Sequence, residues 1–163
     1  PLNKSLFSLN EVINECIEKL NISSDKKIEI KITAERDIIL HADRMHITNI
    51  ISNLLENAVK YSAENGFIEI SYGQSNHGSV TISVKDNGYG ISKHDQKYIF
   101  DKFYRSRKAI DSHIPGMGLG LAYVELLVKA HDGKVSVTSQ EGKGSVFTIT
   151  LPQDQSIYEQ LKK

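Results

Sequence analysis

Asn53-Leu54-Leu55-Glu56-Asn57-Ala58-Val59-Lys60-Tyr61 is the stretch on which the reading of this chain turns. At about 100° per residue it forms the last turns of a helix with an apolar face of Ile47, Ile50, Ile51, Leu54, Leu55, Ala58 and Val59. Asn53, Asn57 and Lys60 fall within an arc of roughly 60° on the side away from Leu54, Leu55 and Ala58. Asn is a poor helix residue because its short amide competes for backbone groups, so two in register call for an explanation. A solvated face is one. The other is a row of neutral oxygens beside a cation, which suits Mg²⁺ and a polyphosphate: magnesium takes oxygen ligands, keeps several waters and shares its shell with phosphates.

Asp43 can cap this helix, which ends near Tyr61, before Asn65-Gly66. Upstream, Ser8 and Glu11 have capping-box spacing, and Leu9, Val12, Ile13, Cys16, Ile17 and Leu20 mark a first amphipathic helix. Ile28, Ile30 and Ile32 alternate with charged residues as a half-buried strand does, and Ile38-Ile39-Leu40 reads as a second, short one. Downstream come strands over Phe67–Tyr72 and Val80–Val84, then a Gly-bearing turn at Asp86–Gly90. Ser92 to Pro115 has no clear period, and so irregular a stretch inside a compact domain is mobile or functional. Gly116–Gly120 opens a helix to about Ala130, which Gly133 stops. Val135–Thr138 and Val146–Leu151 pair as a hairpin through Glu141–Gly144. The expected fold is an α+β two-layer sandwich, a mixed sheet of about five or six strands with three main helices on one face.

With 163 residues the chain supports one core, and 20 basic against 20 acidic residues leave no net charge to draw it to nucleic acid or an anionic membrane. It is 39% hydrophobic and 25% charged, an ordinary globular composition. No apolar run reaches spanning length, and Pro1-Leu2-Asn3-Lys4 has no secretory h-region. The single Cys16 excludes an internal disulfide and fits the buried stripe of the first helix. Without an initiator Met, the chain is expected to be a piece of a longer protein.

Two further elements carry chemistry. In Asp86-Asn87-Gly88-Tyr89-Gly90-Ile91 a carboxylate at a strand end can accept from an exocyclic amine, while the glycines let a flat ring approach the backbone; the same residues also make an ordinary turn. In Gly116-Met117-Gly118-Leu119-Gly120-Leu121 a Gly-rich loop runs into a helix, whose first N–H groups form an anion site. It is neither a Walker A loop nor a convincing dinucleotide fingerprint. In order and spacing these elements resemble the N, G1 and G2 boxes of the catalytic and ATP-binding domain of sensor histidine kinases, in the gyrase–Hsp90–histidine kinase–MutL superfamily. Ile99-Phe100-Asp101-Lys102-Phe103-Tyr104-Arg105 is similar to the F box, and Glu141-Gly142-Lys143-Gly144-Ser145-Val146-Phe147 to the last glycine box. Met117 departs from the Thr, Ser or other small polar residue frequent in the family, and Ser145 from its common Thr.

The resemblance implies that Asn57 is the Mg²⁺ ligand with Asn53 beside it, that Lys60 reaches the phosphates, and that Tyr61 lies along the adenine or ribose. It implies that Asp86 holds the adenine amine in a pocket shaped by Gly88, Gly90 and Ile91, with Thr148 touching the base. Arg105 would approach the γ-phosphate, its planar donor fork suited to that task. Phe100 and Phe103 would anchor the loop ends. Residues 102–115 would be an ATP lid, and Gly116, Gly118, Leu119, Gly120 and Leu121 its hinge and phosphate cradle. Residues 1–8 would end a connection from an absent dimerisation and phosphoacceptor domain, 9–152 form the catalytic domain and 153–163 a tail. Superfamily ATPases place a Glu where Asn53 stands, and an amide is no useful base. The expected chemistry is therefore transfer of the γ-phosphoryl group from Mg-ATP to a histidine on a separate hairpin of the parent, upstream of a response-regulator receiver domain. A noncatalytic nucleotide-binding module, a superfamily ATPase and a serine kinase are the alternatives. His94 and His131 are expected to be surface or capping residues, the fragment a monomer, the parent a homodimer on the cytoplasmic side, with an inner-membrane anchor left open.

Overall fold

A computed structural model describes residues 1–163. Strand β1 (Lys4–Ser8) leads into helix α1 (Leu9–Glu18), followed by β2 (Lys27–Thr33), β3 (Ile39–Asp43) and the long helix α2 (Arg44–Lys60). Strands β4 (Asn65–Gln74) and β5 (Val80–Asp86) come next, then the short helices α3 (Lys93–Gln96) and α4 (Arg107–Asp111) and the longer α5 (Gly120–Ala130). Strands β6 (Lys134–Gln140) and β7 (Gly144–Leu151) and a final helix α6 (Gln155–Lys162) complete the chain.

The main sheet has five strands in the order β2-β4-β5-β7-β6. Only β2 and β4 run parallel, and the crossover such a pair requires is supplied by β3 and α2. Helices α1, α2 and α5 pack as one layer against one sheet face, with α2 in the middle. The two-layer α+β architecture is therefore the expected one. Ser8 caps α1 by accepting the Glu11 N–H at 3.1 Å, and Asp43 caps α2 by accepting that of His46.

All seven apolar residues expected on the inner face of α2 are buried there. Exposing Leu54 or Leu55 would forfeit about 2–3 kcal/mol each, more than any polar contact on the opposite stripe could return. That difference fixes the helix's rotation, and with it the direction in which Asn53, Asn57 and Lys60 point.

Several local expectations need correction. Residues Lys4–Ser8 form a strand paired antiparallel with β3 in a separate two-stranded ribbon, which draws the start of the chain into the fold. Ile38 stands just before that ribbon's second strand, which runs on to Asp43. Gln155–Lys162 forms a helix capped by Asp154, and its Tyr158 is buried against Gly78. His94 is exposed and His131 caps α5, both as expected, but His131 is also buried, its Nδ1 bonding the Leu127 carbonyl at 2.9 Å and its Nε2 accepting the Asp43 N–H at 3.2 Å. It ties α5 to the start of α2.

Candidate functional site

The helix α2 presents Asn53, Asn57, Lys60 and Tyr61 to a cleft that continues across β5, the segment Ile99–Arg105 and the start of α5. Its narrower end, about 550 Å³, is lined by Asp86, Gly90, Ile91, Ile99 and Ser145. The wider end, about 870 Å³, is lined by Asn53, Glu56, Lys60 and the loop Pro115–Gly120. Asn57, Tyr61, Ile99, Tyr104, Arg105 and Leu121 border both, so the two ends form one continuous site.

At the narrow end Asp86 is only 6% exposed. Burial pushes its carboxyl above the usual range, partly offset by N–H groups of Gly88, at 2.9 Å, and Ser145. Such a buried acceptor beside apolar Ile91 and Ile99 suits a flat base carrying an amine. Gly88 does not shape this pocket: a Cβ there would collide with the Tyr61 carbonyl, which also accepts the Tyr89 N–H at 3.1 Å. That approach pins the turn after β5 to the end of α2. Gly90, at φ +73°, lies against the Gln140 carbonyl and does line the cleft.

At the wide end Asn53 donates from Nδ2 to the Asn49 carbonyl at 2.7 Å, leaving Oδ1 turned toward Gly120, where a Cβ would stand 3.1 Å away. Asn57 makes no such backbone bond and faces the cleft from the same stripe. A Cβ on Gly116 would lie 3.6 Å from the Lys60 Nζ, so the amine sits beside the loop backbone. Leu119 precedes α5 without any side-chain cap, which leaves the first N–H groups of that helix available to an anion. Tyr61 is half-buried; desolvation raises its hydroxyl above the ordinary tyrosine value, with the nearby Arg105 acting in the opposite direction.

Residues 102–115 are not without structure. Ser106 caps α4 through the Ala109 N–H, and Ala109 and Ile114 are buried. The Arg105 guanidinium donates to the Ile114 carbonyl, which closes this segment on itself at the cleft's edge. Lys108 Nζ lies 4.8 Å from the centre of the Tyr89 ring, bridging the segment to the turn after β5. Phe100 meets Phe147 edge-on at 6.3 Å and anchors one end as expected. Phe103 does not: it is 65% exposed at φ +66°, and its N–H donates to the Gly118 carbonyl at 2.9 Å. The anchor is Tyr104, whose hydroxyl bonds the buried Asp95; that bond pushes the Tyr104 pKa up to about 12.

Thr148 also stands elsewhere. Phe147, Ile149 and Leu151 face the helices, so Thr148 faces the other side of the sheet, 3.0 Å from Ser83 Oγ. The residue of β7 that reaches the cleft is Ser145, directly opposite Asp86 and in step with Phe147. Alternation counted from the apolar residues was the signal that identifies it.

The sequence of residues 42–155 matches the model of the family described as histidine kinase-, DNA gyrase B-, and HSP90-like ATPase. This chain belongs to that ATPase family. Among its relatives, the sensor histidine kinase WalK of Bacillus subtilis (strain 168) is 36% identical over 152 residues, covering 92% of this chain and 25% of WalK. This family member thus spans about a quarter of the length of the curated relatives it matches. The mycobacterial sensor histidine kinase MprB superposes with a TM-score of 0.79 at 27% identity, covering 92% of this chain and 97% of that one. Full-length ShkA in complex with AMPPNP gives 0.81 at 27% identity, covering 94% and 32%. No helix of this ATPase-family domain is long and apolar enough to cross a membrane.

Proposed function

We propose that the domain binds Mg-ATP in this cleft and transfers the γ-phosphoryl group to a histidine on a dimerisation hairpin of its parent protein, the kinase step of two-component signalling. The observation that carries the proposal is the placement of a buried carboxylate and, in the same cleft, of an amide stripe, an ammonium and uncapped helix N–H groups. A base with an amine fits the first, and a metal-bound polyphosphate fits the second. The relatives support it: WalK is a sensor histidine kinase, and ShkA was solved with an ATP analogue.

Under this proposal Asp86 accepts from the adenine amine between Ile91, Gly90 and Tyr61. Asn57 would hold Mg²⁺, with Asn53 on the next turn; the bound ion neutralises charge building on the phosphates. Lys60, the Gly116–Gly120 backbone with Leu121, and Arg105 cradle the phosphates, residues 102–115 acting as the lid of a catalytic unit over 9–152. The attacking imidazole nitrogen forms a bond to the γ-phosphorus, the bond to the bridging oxygen breaks, and ADP leaves. Phosphoryl transfer depends mainly on positioning and charge stabilisation, which these groups supply. Asn53 offers no base to activate water, and Glu56 at the rim is exposed on a different helical stripe. Hydrolysis is therefore slow. The hairpin, a downstream receiver domain and a homodimeric parent with this domain on the cytoplasmic side are the partners and setting implied.

The test mixes this domain with its parent's hairpin, Mg²⁺ and labelled ATP. An acid-labile phosphohistidine on the hairpin is expected. Label stable to acid, or rapid phosphate release without hairpin and no phosphoprotein, would replace the proposal by a serine kinase or an ATPase; Asn53→Glu should raise hydrolysis.

A further inference from the structure

Three neighbouring strands meet at the narrow end of the cleft: Ser139 on β6 stands opposite Ser145 on β7, and Ser145 opposite Asp86 on β5. Ser139 Oγ has three partners, the Ile91 N–H at 2.8 Å, the Gly144 carbonyl at 2.9 Å and Ser145 Oγ at 2.7 Å. A hydroxyl carries one proton and two acceptor lone pairs. The Ile91 N–H can only donate and the Gly144 carbonyl can only accept. Ser139 therefore gives its single proton to Gly144 and accepts from Ile91, and one lone pair is left for Ser145. Ser145 must be the donor in their mutual bond. Its proton is committed away from the cleft, and toward the cleft its oxygen offers acceptors alone.

Asp86 stands beside it with its own carboxylate, an acceptor when ionised. Gln96 fixes the arrangement further, since its Nε2 donates to the carbonyls of Ile91 at 2.8 Å and Ser139 at 3.2 Å. We infer that Ser139 is a positioning residue for base recognition: by holding the Ser145 proton it leaves the Asp86–Ser145 wall of the narrow end with acceptors alone, which selects a purine edge bearing an exocyclic amine over one bearing a carbonyl. This rests on the nucleotide-binding proposal above and adds a residue that need not touch the ligand.

Calorimetric affinities for ATP and inosine triphosphate test it, on the wild-type domain and on Ser139→Ala, Ser139→Thr and Ser145→Ala. Ser139→Ala releases the Ser145 hydroxyl to donate to a base carbonyl, and the preference for ATP should fall about five- to tenfold, the worth of one buried hydrogen bond. Ser139→Thr keeps the hydroxyl and should restore the preference. Ser145→Ala removes the acceptor with Ser139 intact and should also lower it. An unchanged ratio in Ser139→Ala, or equal losses for both nucleotides that track a lower melting temperature, would overturn the inference. If Ser139→Ala does not fold, an unchanged ratio in Ser145→Ala overturns it instead. A wild-type domain that binds neither nucleotide would sink the underlying proposal as well, whereas tight ATP binding with an insensitive ratio sinks this inference alone.

Discussion

Asp86 and Ser145, at one end of the cleft, stand on adjacent strands in the middle of the sheet with their polar atoms partnered. At the other end, Lys60 and the Gly116–Gly120 backbone are carried by a helix terminus and a loop, and their donors are left unengaged. The first end is preorganised, because the backbone ladder holds it and any rotation would break buried bonds. The second has little buried side chain to hold it, so opening there costs much less than unfolding. A base site needs fixed acceptors. Under the proposed function, the second end would be a phosphate site that must admit another protein, and exposed donors beside residues 102–115 would provide the approach.

The strongest way to break this comparison is Asp86→Asn. It places a donor where the base amine donates, and affinity for ATP should fall about ten- to a hundredfold, with the melting temperature nearly unchanged. A collapse in melting temperature would show that Asp86 holds the sheet rather than the ligand. Next, Asn57→Ala should cost about tenfold or more, the range seen even for groups one shell removed from a metal. That loss should appear only with Mg²⁺ present, so metal-free nucleotide affinity is the control.

A pH titration sharpens the contrast through two opposite signs. The Asp86 carboxyl is raised by burial. Between the ordinary carboxylate value and the raised one, the folded chain holds a proton that the unfolded chain has released. The contribution of Asp86 to ligand-free stability is thus full below the ordinary value and is lost as pH rises through the raised one. Nucleotide affinity, which needs the ionised acceptor, should instead weaken as pH falls through that raised value, earlier than an ordinary aspartate would allow. Calorimetry on both states across that window reads each sign. The smallest effect belongs to the proposed lid: Lys108→Ala removes the contact with the Tyr89 ring and should speed nucleotide release about two- to fivefold without lowering the melting temperature. A marked loss of stability would mean that the lid is part of the core.

Legibility followed the same divide. The buried face of α2 and its polar stripe were readable because one period governs both, and the caps at Ser8 and Asp43 follow from local chemistry. Thr148 was misplaced because a strand exchanges its faces with a single step, and Ser145 rather than Thr148 keeps step with the core. The anchoring role expected of Phe103 rests on its place in the motif resemblance, which says nothing of its backbone conformation. Its left-handed backbone and its bond to Gly118 turn it outward while Tyr104 reaches back to Asp95, and neither contact lies in a stretch with a periodic signal. Lys4–Ser8 carried too little alternation to announce a strand; its partner Ile39–Asp43 lies more than thirty residues on.

Local chain chemistry settles the set of groups: two amides and an ammonium on one helical stripe, a carboxylate ending a strand, and glycines opening a helix. These follow from periods and capping rules that act over a few residues. Packing settles how they meet: which side of β7 enters the cleft, which aromatic residue anchors the segment at residues 102–115, and where the Ser145 proton goes. Each of those depends on how elements pack rather than on a local period, and a hydrogen bond's direction is settled only when all of its partners, such as Ile91 on Ser139, have been brought together.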